Sequence, residues 1–418
     1  MSLPFSTPPS SAKLSPTPFK AAIPGEKLAE LETLVKLSKL APATYENSQP
    51  DGRYGITTEW LVSLRDKWLN SFDWKSTENR INTFPQFTTE IEGLTIHFVA
   101  LFSEKKDAVP ILLLHGWPGS FLEFLPMLQM FRDEFTPSTL PYHLIVPSLP
   151  GYTFSSGPPL DKNFATHDVA RVMDKLMRDI GFESGYVVQG GDIGSRVARV
   201  IAVDYESCKG MFLMKISFPL SPSSDEPPAI HLNVCFMRRP NGVTDENLTA
   251  FEKDGIERLN HWLGTGTAYG FMHGTRPSTI GHVLSTSPVA LLAWIGEKFL
   301  QWVDEPLPPE FIMESVTLYW LTETYARSIY TYREGFPPPP VPPANDPRWY
   351  IHKPYGHSYF PKELSPTPRS WVETTGNLVF WGQHSKGGHF AALEQPEALK
   401  KDLVTFVEQV WPEIAGVI

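Results

Sequence analysis

The chain lacks the marks of several large functional classes. Only two of its 418 residues are cysteine, Cys208 and Cys235. A secreted chain of this length would more often rely on disulfides, so a reducing, cytoplasmic setting is expected. Its longest apolar runs, such as Ile111–Leu114 and Val289–Ile295, fall far short of the ~18–20 residues that span a bilayer. The opening Met1-Ser-Leu-Pro-Phe5 has no signal-peptide core and reads as an arm lying on the surface. Lysine and arginine do not cluster, and the net charge is -10 with a pI near 5.7. That charge argues against nucleic acid and anionic membrane as partners. No His-Glu-x-x-His or similar ligand spacing occurs, so no metal is expected. Gly-x-Ser-x-Gly is also missing, which excludes the commonest serine-hydrolase signature.

Hydrophobic residues are 41% and charged residues 20%, which rules out wholesale disorder. Proline is in excess, 41 residues against an average near ~5%, much of it in the first 25 residues and in Pro337–Pro343. The length exceeds one ordinary domain of ~150 residues. Residues 1–90 read as an arm and helical extension: Leu28, Leu31, Leu34 and Val35, then Trp60, Leu61, Leu64 and Trp68, recur at helical spacing. A strand is expected within Ile91–Ser103. Over 91–220 short apolar strands (Ile111–Leu114, His143–Val146, Tyr186–Gln189, Met211–Ile216) alternate with helical stretches, the rhythm of a mostly parallel, doubly wound α/β sheet. Residues 221–345 read as a helical cap, with helices near Thr244–Leu263, Pro288–Val303 and Pro309–Tyr332. Residues 346–418 return to the core with a strand at Asn377–Trp381 and a helix at Glu394–Val410.

Three motifs carry chemistry. In Val187-Val-Gln-Gly-Gly-Asp192-Ile-Gly-Ser-Arg196, a strand runs into a helix through a turn where small residues flank one functional side chain. This is the shape of a nucleophile elbow, with Asp where serine would stand. An aspartate of ordinary pKa near ~3.9 is ionised at neutral pH and needs no base to attack. Taken alone, the same pattern also fits a helix N-cap aspartate. The second motif, His115-Gly-Trp-Pro-Gly119 after a strand, is placed to supply the Trp117 N–H to an oxyanion hole, with the N–H of Ile193 as its partner. A cis bond before Pro118 suits such a turn. The third, Gly387-Gly-His389-Phe390, puts a histidine late in the chain, in the order expected of a hydrolase triad; His384 is its nearest rival.

Together these segments resemble the epoxide hydrolases of the α/β-hydrolase fold, of the microsomal type with soluble fungal members. The likeness runs through Phe84–Phe98, His115–Phe121, Pro147–Tyr152, Gly190–Gly194, Arg276–His282, Leu318–Thr322 and Gly387–His389. It implies a helical lid, two lid tyrosines on the epoxide oxygen at Tyr269 and Tyr332, with Tyr330 as rival to the second, and an orienting acid at Glu363, with Asp346 and Glu373 as alternatives. It also implies a small hydrophobic epoxide and water as the reaction partners, no cofactor, no membrane span and a homodimer. Ile193 departs from the tryptophan that many relatives carry there. Two other readings compete: a haloalkane-type dehalogenase, which also uses an aspartate nucleophile, and a binding protein without turnover.

Overall fold

The structure is a computed structural model that describes residues 3–205, 229–244, 246, 248–335 and 344–415. Cys208, the expected strand Met211–Ile216 and the Pro337–Pro343 tract lie outside the described residues.

Among the described residues nine strands form one sheet: β1 Thr17–Phe19, β2 Gln86–Ile91, β3 Leu94–Leu101, β4 Val109–Leu114, β5 Tyr142–Pro147, β6 Val187–Gly190, β7 Ile230–Leu232, β8 Ile351–Tyr359 and β9 Gly376–Gln383. Their order is β1-β2-β3-β5-β4-β6-β7-β8-β9. From β5 through β9 every pairing is parallel, while β1, β2 and β3 extend one side antiparallel. The parallel strands β4, β5 and β6 are buried at every position, as continuous apolar runs covered on both faces should be. Helices Leu125–Glu134, Thr166–Asp179, Asp192–Asp204 and Pro396–Ala415 lie where the α/β rhythm put them.

Four strands escape the sequence reading. β1 falls within residues 1–90, assigned to an arm and helices, and so does all of β2 except Ile91. The proline of β1 is tolerated because the strand is the sheet edge. β7 falls within 221–345, read as a helical cap; it is three residues long and makes no periodic signal. β8 contains Pro354 and Gly356, two strand breakers. The structure accommodates them with register shifts between Ile351 and Pro354 and between Tyr355 and Gly356.

Between β7 and β8 runs a helical layer: Ala250–Thr265, Ala268–Thr275, Pro277–Leu284, Pro288–Gln301, Pro309–Leu321 and Thr324–Ser328, then a 3-10 turn at Ile329–Gly335. The amphipathic N-terminal helices Gly25–Leu37 and Thr58–Asn70 pack against it. Trp68 Nε1 donates to Thr317 Oγ1 at 2.9 Å inside that contact. Gly296 leaves the space that the Trp60 indole occupies; a Cβ there would lie 2.5 Å from the ring. Among the described residues no single helix is long and apolar enough to cross a membrane.

Candidate active site

β6 ends at Gly190, and the helix begins at Asp192 with φ +45°, a left-handed conformation rare for a side-chain-bearing residue. Such strain, about 1–3 kcal/mol, persists only where the surroundings enforce it. They do so through close backbone contact. A Cβ on Gly190 would meet the Gly194 carbonyl oxygen at 2.4 Å, and one on Gly194 would meet that of Leu114 at 2.3 Å. The Asp192 side chain therefore projects from the turn toward the loop after β4. Trp117 N–H donates to Asp192 Oδ1 at 2.7 Å, and the Ile193 N–H also bonds this carboxylate. The Trp117–Pro118 bond is cis, as the turn led us to expect.

His389 Nε2 faces Asp192 Oδ2 at 3.5 Å. Its Nδ1–H donates to Glu363 Oε1 at 2.7 Å, and the same oxygen accepts the Leu364 N–H at 2.5 Å. The His389 loop is pinned to the helical layer by its own N–H, which donates to the Trp302 carbonyl at 2.8 Å. Burial alone would push the Asp192 carboxyl up, but the hydrogen bond and charge of His389 and the N–H groups of Ile193 and Trp117 hold it below its ordinary value. Burial works to lower His389, yet the Glu363 and Asp192 carboxylates raise it well above an ordinary imidazole.

Tyr269 and Tyr332 stand over this centre from the helical layer. Their rings meet edge-on at 5.9 Å. Trp117 stacks on Tyr269 at 5.4 Å and meets Tyr332 at 6.1 Å, while Trp302 packs against Tyr269 at 5.1 Å and His389 at 5.1 Å. Burial raises both phenols well above their usual range, followed by the Asp192 charge at Tyr269 and by Tyr269 and then Asp192 at Tyr332. They are thus neutral donors.

The structure brings Asp192, His389, Glu363, Trp117, Ile193, Tyr269 and Tyr332 to one place. The rivals lie elsewhere. Tyr330 donates to the Pro150 carbonyl at 2.9 Å. Asp346 pairs with Arg348 at 2.9 Å, and Glu373 pairs at an exposed position with Arg369 at 2.8 Å. His384 bonds Asp402 at 2.6 Å. Sequence reasoning missed Glu123, a buried carboxyl close enough to feel both His389 and Asp192. The available signal was Ser120-x-x-Glu123, a capping-box spacing just beyond the Trp117 loop.

Residues 16–124 match the family described as epoxide hydrolase N terminus, and residues 109–263 the alpha/beta hydrolase fold. A putative epoxide hydrolase of Dothistroma septosporum is 40% identical over 414 residues, covering 97% of this chain and 92% of that protein. The chain belongs to the epoxide hydrolase family. Membership extends to mammals: epoxide hydrolase 1 of Oryctolagus cuniculus is 31% identical, with 93% of this chain and 88% of that one covered. Among solved structures, the epoxide hydrolase of Aspergillus niger is 61% identical, with a TM-score of 0.90 over 98% of this chain and all (100%) of that one. The family's fold is the α/β-hydrolase sheet with the helical layer described above, and its members are hydrolases.

Proposed function

We propose that this member of the family opens an epoxide to a vicinal diol through a covalent ester on Asp192. The observation that carries the reading is the ionised carboxylate at the strained elbow, with one oxygen on the Trp117 N–H and His389 against the other. Asp192 attacks a ring carbon, and the C–O bond of the strained ring breaks. The departing oxygen takes its proton from the Tyr269 and Tyr332 pair, which leaves one phenol ionised. Water then attacks the ester carbonyl carbon and gives a proton to His389 Nε2, oriented by Glu363. The Trp117 and Ile193 N–H groups hold the resulting oxyanion. Collapse expels the diol oxygen, which takes the proton back from His389. The proton left on the Asp192 carboxyl passes to His389 and restores the starting state, so the sum is epoxide plus water.

Charge coupling orders the two halves. Before reaction, the Asp192 carboxylate helps to keep His389 protonated. Once Asp192 is esterified that contribution is gone, and the imidazole passes its proton to the phenol left ionised by ring opening. A neutral imidazole, able to accept a proton from water, is therefore present at the stage that requires it.

Two phenols favour this reaction over dehalogenation. The oxygen of an opened epoxide stays on the product as a developing alkoxide and needs a proton, whereas a departing halide does not. The ring-lined centre of Trp117, Trp302, Tyr269 and Tyr332 favours a hydrophobic, aryl-substituted epoxide. No cofactor takes part in the scheme. A soluble cytoplasmic homodimer, with residues 221–345 as its lid and the core split into 91–220 and 346–418 behind the 1–90 extension, completes the proposal.

Supplied with styrene oxide, the protein should release the diol, and rapidly quenched protein should gain the mass of one epoxide. Diol without any adduct in a single turnover would mean direct attack by water. No diol from a broad epoxide panel would favour a binding protein.

A further inference from the structure

Glu123 sits in the catalytic pocket, and the scheme above gives it no work. Its Oε1 accepts the Ser120 N–H at 3.1 Å within a capping box. The carboxyl lies hard against the oxyanion loop, since a Cβ on Gly119 would fall 1.4 Å from Oε1. Burial pushes it up to about 8, against the pull of His389 and with the push of Asp192. Glu123, Asp192, His389, Gln189 and Asn233 line one small cavity of about 20 Å³. Gln189 Oε1 is buried without a partner among the described residues, while its Nε2 donates to Asn233 Oδ1 at 2.9 Å. A cavity of ~10–15 Å³ with two to four polar partners holds one water. This one has that room and those partners, and it is far too small for an epoxide.

Ester hydrolysis sets a geometric demand. The attacking water must lie beside His389 Nε2 and face the Asp192 carbonyl carbon. A water held only by His389 can still swing about that bond; a second hydrogen bond fixes where its lone pair points. We propose that this cavity seats the hydrolytic water and that Glu123 is the positioning residue that holds it. The water oxygen bonds to Asp192 Cγ, one hydrogen passes to His389 Nε2, and the other remains on the new Asp192 oxygen. Glu123 stays hydrogen-bonded to the water and is not consumed.

This rests on the Asp192 ester. Two measurements test it on the full-length enzyme with styrene oxide. A crystal structure should show one water bonded to both His389 Nε2 and the Glu123 carboxyl; a dry cavity, or a water touching neither, overturns the proposal. In rapid-quench kinetics, Glu123→Leu should slow ester hydrolysis about tenfold, the worth of one hydrogen bond, and ester formation far less. Glu123→Gln keeps the oxygen that accepts the Ser120 N–H and a polar group for the water, so it should recover most of the loss. Equal slowing of both steps would reduce Glu123 to a loop support and overturn the proposal. Should Glu123→Leu not fold, the crystallographic water decides. If wild-type enzyme forms no adduct at all, the ester reading falls with it; an adduct whose hydrolysis ignores Glu123 overturns this proposal alone.

Discussion

His389→Gln should yield a protein that reacts once and stops. Glutamine roughly fills the space and keeps a donor for Glu363, but it has no basic nitrogen to take a proton from water. Ester formation needs only the Asp192 carboxylate and the two phenols, so it should survive. Hydrolysis should fall by about 10²–10⁴-fold, the usual contribution of a positioned base. The quenched protein should then carry one epoxide mass per chain almost quantitatively, with one equivalent of epoxide consumed at once and no matching burst of diol. Asp192→Ala should carry none. Glu363→Gln should slow the same step, because Glu363 Oε1 at 2.7 Å orients the imidazole and helps to stabilise its charged form. Undiminished steady-state turnover by His389→Gln would remove this histidine from the scheme.

Replacing both lid tyrosines should fail earlier. Negative charge grows on the epoxide oxygen only as the ring opens, so donors aimed at it act on the transition state more than on binding. Loss of one such donor typically costs about 10²–10³-fold. Tyr269→Phe or Tyr332→Phe should each leave a slow enzyme with one donor. The double variant should form almost no ester while KM-like binding changes little. Phenylalanine keeps the ring that stacks on Trp117, so folding should be preserved, which circular dichroism would check. Rapid quenching should assign the loss to ester formation. An unchanged rate in the double variant would mean that the oxygen is activated by another group.

What the sequence made legible follows from where the information is local. The elbow can be read because its glycines, its strand and its aspartate are contiguous, and the same holds for the loop at Trp117 and for Gly387-Gly-His389. Glu363 was reachable only through the family likeness. Its selection over Asp346 depends on a fold that sets residue 363 beside residue 389 and leaves Asp346 paired with Arg348. β8 stayed hidden because Pro354 and Gly356 violate strand preferences that the bulges then accommodate. β7 stayed hidden because three residues carry no period. The stacking of Trp117 on Tyr269 joins a core loop to the helical layer, and no local pattern announces it. Glu123 was announced by a capping box, yet its second role lies in what it faces, which only the packing reveals.

The central claim is that Asp192, and not water, makes the first bond to the substrate. Limiting epoxide should be turned over once by excess enzyme in heavy-oxygen water, and the peptide containing Asp192 analysed by mass spectrometry. Water that attacks the ester carbonyl leaves its oxygen on the enzyme, so one label should appear at Asp192 and the first-turnover diol should carry none. Label in the diol, with Asp192 unlabelled, would contradict the account.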